Sequence, residues 1–148
     1  MSNSSALASS DTWVLLATIY GGREKGANLQ AIISAADYIN HAILTYEELD
    51  GGLARLRSEG FIEEQDGIYY PTQAVLSAYD QTTKLRRSVS KEWDDLERFI
   101  KAHRPDTQSL VVSTPGQAIT RTMYESAVQT YIQRSQYEPR STKRTKRN

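Results

Sequence analysis

Three features of the sequence predict a mainly α-helical fold built around a winged helix-turn-helix, with three helices and a β-hairpin wing followed by long C-terminal helices. A helix between Thr45 and Glu59 is signalled at both ends. It runs straight into two short strands separated by Asp66-Gly67. Apolar residues at helical spacing occupy the chain before and after this unit. A helix that feeds directly into a hairpin is the recognition-helix-and-wing half of that fold.

Taken in order, residues 1–10 are Ser-rich and polar, which predicts a disordered start. Trp13, Leu16, Ala17 and Tyr20 repeat at helical spacing, and Val14, Leu15 and Ile19 widen the apolar arc, so Asp11 to Tyr20 reads as a largely buried helix ended by Gly21-Gly22. Asn28 is placed to cap a second helix with Leu29, Ile32, Ile33, Ala36 and Ile39 on one face, ending near His41. Thr45 and Glu48 then form a capping box for the third helix, because each side chain can bond the other residue's amide. Leu49, Leu53 and Leu56 are its inward stripe, with Glu47, Asp50, Gly51, Ala54 and Ser58 on the opposite face. Gly60 falls where a left-handed residue ends a helix, with Phe61 and Leu56 spaced for the accompanying apolar contact.

Phe61 to Gln65 and Ile68 to Pro71 flank Asp66-Gly67, a dipeptide that tolerates the positive φ angles of a two-residue hairpin turn. Pro71-Thr72 opens a fourth helix with Val75, Leu76 and Tyr79. Leu85, Val89, Trp93, Leu96 and Ile100 form an amphipathic stripe that can run on from it to about Ala102. The apolar run Leu110 to Val112 reads equally as an edge strand or a packed loop. Thr114, Pro115 and Gln117 supply the start signals of a last helix whose face includes Ile119, Met123, Ala127, Val128, Tyr131 and Ile132. From Pro139 the chain has five basic residues and no acid, which predicts a disordered basic tail. The expected divisions are therefore 1–10 disordered, 11–81 winged helix, 82–136 C-terminal helices and 137–148 basic tail.

The length of 148 residues suits one domain with appendages. No cysteine is present and only two histidines, His41 and His103, so no thiolate chemistry and little metal chemistry are expected. Neither a signal peptide nor a run of about 18 apolar residues is seen, and a cytoplasmic protein without membrane contact is expected. Formal charge is zero overall but divided. Residues 1–80 hold four basic against eleven acidic groups, and the remainder fourteen against seven. Such a division speaks to partners more than the total does.

The order of elements, and the stretch LARLRSEGFIEEQDGIYYPT from Leu53 to Thr72 in particular, is similar to winged-helix regulators of the MarR and PadR types over about residues 11–80. The resemblance implies a DNA-associated transcriptional regulator without catalytic activity, dimerised through its terminal helices. In those families the recognition helix and wing tip are commonly basic. Here the wing carries Glu63, Glu64 and Asp66, and the third helix begins with Glu47, Glu48 and Asp50. The competing reading is a winged-helix module whose acidic third helix and wing meet a basic protein.

Either ligand, duplex DNA or a basic protein, is expected at Thr45, Tyr46, Glu47, Asp50, Gly51, Ala54, Arg55 and Arg57 of the third helix and at Tyr69 of the wing. Tyr69 and Tyr70 serve there either by stacking on the ligand or by packing within the hairpin. The basic contribution comes from Arg86, Arg87, Arg140, Lys143, Arg144, Lys146 and Arg147. A homodimer interface is expected at Leu85, Val89, Trp93, Leu96 and Ile100, together with Val128, Tyr131 and Ile132, because these stripes exceed what a small winged core covers. No catalytic, cofactor or metal residues are identified. Gly21 and Gly26 have the spacing of a phosphate loop, but Ala27 and Asn28 stand where that motif needs Lys and Ser or Thr. Gly51-Gly52 is costly inside a helix, and close packing on the second helix accounts for Gly52.

Overall fold

The computed structural model describes the backbone of residues 2–83, 88–104 and 118–147 and the side chains of residues 9–81, 88–104 and 118–135. The described chain is mainly helical, with one two-stranded antiparallel sheet: α1 Ser2–Gly22, α2 Leu29–Asn40, α3 Tyr46–Ser58, β1 Ile62–Gln65, β2 Ile68–Pro71, α4 Gln73–Thr83, α5 Val89–His103 and α6 Arg121–Arg147. Leu85, Arg86, Arg87, the run Leu110 to Val112, and Thr114, Pro115 and Gln117 lie outside the described residues.

α1 is the axis of the core. Every residue from Asp11 to Ile19 is buried, and α2, α3 and α5 all pack on it. Trp13 donates its indole N–H to the Ala36 carbonyl at 3.0 Å and stacks on Trp93 with ring centroids 6.4 Å apart, so one side chain ties α1 to both α2 and α5. Asn28 accepts the Ala31 amide at the start of α2, and His41 ends that helix at φ +57°. The Thr45–Glu48 capping box has both bonds, at 3.1 and 2.9 Å. At the other end of α3 the Phe61 amide reaches the Leu56 carbonyl and the Gly60 amide the Arg57 carbonyl, the paired bonds of a Schellman ending, with Gly60 at φ +86°.

β1 and β2 pair with Gln65 opposite Ile68, and Asp66 and Gly67 both have positive φ, at +52° and +81°. On the other edge of β2, Ala27 exchanges two backbone bonds with Tyr69, each 2.9 Å. The chain can approach so closely because residue 26 is glycine: a Cβ there would lie 2.5 Å from Ile68 Cγ2.

Several expectations are corrected. α1 begins at Ser2 rather than Asp11, so the polar start is helical; no Gly or Pro stands in it to break the ladder. At the far end α6 runs to Arg147 through the segment expected to be a disordered tail, continuing past Pro139. α6 starts at Arg121, with Thr120 accepting the Met123 amide at 3.1 Å and buried Ile119 preceding the helix; the start signals expected at Thr114, Pro115 and Gln117 lie outside the described residues. α5 does not continue α4, because Ser88 caps it afresh by accepting the Lys91 amide. Gly52 packs on α1, not α2: a Cβ would meet Val14 Cγ2 at 2.8 Å.

The stripes assigned to a dimer are covered largely within the chain. Leu96 and Ile100 are buried in the core against α1, and Val89, Trp93, Val128 and Tyr131 are partly buried on it. Ile132 is half-buried on α6, which packs on α2. Leu96 and Ile100 are therefore not available to a second copy.

Candidate interaction surface on the third helix

α3 holds most of the residues expected to meet a ligand, and the structure gives many of them other work. Thr45 is spent as the helix cap. Ala54, expected to face outward, is buried, and Gly51 is half-buried beneath the Arg55 guanidinium. Tyr69 is buried in the sheet, where burial raises its phenol pKa, and it presents no stacking face. Its role is strand packing.

Arg55 belongs to a buried ionic cluster. Its Nε and Nη2 donate to the two Asp11 carboxylate oxygens at 2.9 and 3.0 Å, and Asp11 is fully buried. Arg104, beyond the end of α5, donates from Nη2 to Asp11 Oδ2 at 2.6 Å and to Glu59 Oε1 at 2.9 Å. Arg104 Nε and Glu59 Oε2 lie 2.8 Å apart, an ion pair whose N–H is not aligned for a hydrogen bond. Burial pushes the Glu59 carboxyl above its ordinary range against the opposing pull of Arg104. The four groups join α1, α3 and the end of α5. Arg57, the other arginine of α3, is exposed but lies 3.5 Å from Glu64 of β1, and Glu64 also accepts the Gly67 amide at the turn.

The first half of α3 is overlaid by residues 118–124. Asp50 Oδ1 accepts two successive main-chain amides, Ala118 at 2.7 Å and Ile119 at 3.0 Å. The Arg121 guanidinium sits 4.5 Å above the Tyr46 ring and 3.3 Å from Glu47. Tyr46 donates its hydroxyl to the Ile119 carbonyl at 3.2 Å and meets the Tyr124 ring edge-on at 5.8 Å. Tyr124 donates to the Leu44 carbonyl at 2.6 Å, and further along α6 Tyr131 donates to Asp37.

Apart from Arg57, the exposed charged side chains of α3 and the hairpin are acidic: Glu47, Glu63 and Asp66. The basic residues Lys143, Arg144, Lys146 and Arg147 lie on the last turns of α6, with Arg140 one turn before them.

The ionic cluster has one signal in the sequence, and it is ambiguous. Asp11 is a carboxylate at the head of the apolar run TWVLLATIY. Such an acid is readily taken for a cap, whereas here it turns inward. A second polar cluster joins Tyr20, Tyr79 and Glu92, whose Oε1 accepts both phenols at 2.6 and 3.3 Å. Burial first, then the Glu92 charge, pushes the Tyr79 phenol up to about 12. This cluster binds α1 to α4 and α5, and the space beside Tyr79 and Glu92 is about the size of a single water.

No family model, no curated protein and no solved structure matches this chain. Among the described residues no three His, Cys, Asp or Glu side chains are grouped to hold a metal, and no helix is long and apolar enough to cross a membrane.

Proposed function

We propose that this chain is a winged-helix binding protein without catalytic activity, and that its α3 and wing surface takes a basic protein segment rather than duplex DNA. Support for the winged-helix reading comes from the order α1, α2, α3, hairpin, together with Ala27. Paired to the outer edge of β2, Ala27 stands where a third, minimal strand would tie the hairpin to the connection between α1 and α2. The observation that carries the partner assignment is the state of the two α3 arginines. Arg55 is held by buried Asp11, and Arg57, though exposed, lies 3.5 Å from Glu64, so α3 and the hairpin set one shared cation against exposed Glu63 and Asp66 and against Glu47, whose own partner is the exposed Arg121. Phosphate neutralisation by Lys and Arg supplies most non-specific affinity for DNA, and on α3 and the hairpin Arg57 alone is exposed to supply it, against three exposed acids.

Fluorescence anisotropy at about 0.15 M salt tests the reading, with a mixed-sequence duplex and a Lys- and Arg-rich peptide as ligands. The peptide should bind, the duplex should not rise above background, and Glu47→Lys with Glu63→Lys should abolish peptide binding. Glu64 is left intact because it holds the turn. Duplex binding that the double reversal weakens would overturn the assignment.

A second reading, a DNA-associated transcriptional regulator, is favoured by one feature: Arg140, Lys143, Arg144, Lys146 and Arg147 follow one another on the continuous helix α6. There the phosphates are met by α6, aided by Arg86 and Arg87, and not by α3. Removing the chain after Glu138 should then flatten the plot of log affinity against log salt by about 0.9 for each phosphate no longer neutralised. A homodimer belongs to either reading. With Leu96 and Ile100 filled, a second copy has the groove lined by Ile39, Val89 and Trp93 beside exposed Tyr38, and sedimentation equilibrium showing only monomer at tens of micromolar would remove it.

A further inference from the structure

The overlay of α3 has the composition of a peptide complex made within one chain. One carboxylate, Asp50, grips two consecutive main-chain amides, which any extended segment can offer regardless of its side chains. Ile119 is then fully withdrawn from water as an apolar anchor. Two residues on, Arg121 lies over the Tyr46 ring and beside Glu47; three further, the Tyr124 ring meets Tyr46 edge-on. Main-chain capture supplies affinity, and the anchor, the cation and the aromatic supply selection.

We propose that the first half of α3 is a docking site for a segment of pattern aliphatic-x-Arg-x-x-aromatic, that residues 119–124 are its resident internal ligand, and that an external basic partner of the same pattern binds by displacing them. This rests on the reading of α3 as a surface for a basic protein, and it names the chemistry of the partner. Three observations favour exchange over a permanent seal. The Arg121 and Glu47 side chains are both more than half exposed, so water already competes for that pair. Met123, between the anchoring residues, points outward at 43% exposure. Of the residues of α3 that hold the segment, exposed Glu47 and half-buried Asp50 lie off the Leu49, Leu53 and Leu56 stripe, which keeps its own packing on α1 when they are released; Tyr46, one turn before Leu49, packs partly on the core. An incoming segment must refill the Ile119 position, since an apolar cavity left open is unfavourable.

The test uses the full chain and, as probe, a fluorescein-labelled peptide of sequence AITRTMYES, the chain's own residues 118–126. In an opened variant, Ile119→Ala with Arg121→Ala, the internal competitor is weakened and α3 is untouched. The peptide should bind the opened variant at least tenfold more tightly than the unaltered chain. Adding Asp50→Asn should take back most of that gain, and a peptide carrying Glu in place of its Arg should bind neither protein. Saturating peptide should also speed tryptic cleavage after Arg121 of the unaltered chain, which reports displacement directly. Equal binding to the opened and unaltered proteins, or a gain that survives Asp50→Asn while far-ultraviolet circular dichroism shows the fold intact, overturns the proposal. The two ideas fail separately. If a generic basic peptide binds the unaltered chain in a Glu63-dependent way while opening gives no gain, the docking site is wrong and the acidic-surface reading survives. The reverse pattern removes that reading and leaves the docking site.

Discussion

Replacing Asp11 by Asn should be among the most damaging conservative changes in the chain. Asp11 is fully buried and accepts three hydrogen bonds, two from Arg55 and one from Arg104. The amide keeps the volume but removes the charge, and it turns one acceptor into a donor facing two guanidinium groups. Removing one partner of a buried ion pair typically costs about 3 to 5 kcal/mol, because the remaining charge stays dehydrated and unmatched. Arg104 keeps Glu59, so the lower end, about 3 kcal/mol, is appropriate here. For a chain of this size each kcal/mol moves the melting midpoint by about 2 to 4 °C, giving a fall of about 6 to 12 °C. Differential scanning calorimetry at pH 7 measures it. A companion variant, Asp11→Leu with Arg55→Met, removes both members of the main pair and should recover part of the loss, since apolar packing often replaces a buried pair at no cost. A drop below about 2 °C for Asp11→Asn would refute the claim that these charges depend on one another.

Glu59 supplies a pH signature. Its carboxyl pKa is raised in the folded chain, first by burial, so the folded state holds that proton more firmly than the unfolded state does. The contribution is complete below the unfolded-state value and is lost as pH rises through the folded one; Glu59→Gln should flatten this part of the melting-versus-pH curve just above the ordinary carboxylate range. Gly67→Val should cost about 1 to 3 kcal/mol in urea unfolding, and since nothing lies within 4 Å of the added Cβ, the cost is wholly that of a β-branched residue at φ +81°. The adjacent glycines of α3 should separate in the same assay. Gly52→Ala drives a Cβ to 2.8 Å from Val14 and should destabilise by about 1 kcal/mol or more. Gly51→Ala meets only the Arg55 guanidinium at 3.1 Å and should be neutral or gain up to about 1 kcal/mol from helix propensity. Equal effects at the two positions would contradict the packing described.

Local chemistry is legible in the sequence where a few adjacent residues decide it. The capping box at Thr45, the Schellman ending at Gly60 and the turn at Asp66-Gly67 all follow from short-range hydrogen bonding and backbone sterics, and each stands where its residues indicate. What depends on distant partners is not legible. Arg55 reads as a free cation on a helix surface until Asp11, forty-four positions earlier, is placed beside it. Leu96 and Ile100 read as a stripe in need of a second copy because no periodicity says which helix lies opposite, and α1 does. Asp50 and Tyr46 read as ligand-facing. That they are met by residues 118–124 reflects pairings about seventy positions apart, which have no local signature.

The two bonds between Ala27 and Tyr69 make the hairpin a cantilever, stiff at its root and free at its tip. β2 is gripped on both edges, by β1 and by Ala27, while Gly67 at the far end has open space around it. A force applied at Asp66 therefore cannot be absorbed by a swing of the whole hairpin. It is carried along β2 to Ala27 and so into the short turn of Arg23–Lys25, where Arg23 is itself tethered to Asp80 of α4 at 3.0 Å. Grasping the hairpin tip thus strains the junction of α1 with α4, and amide exchange at Ala27 and Tyr69 should report any partner that does so.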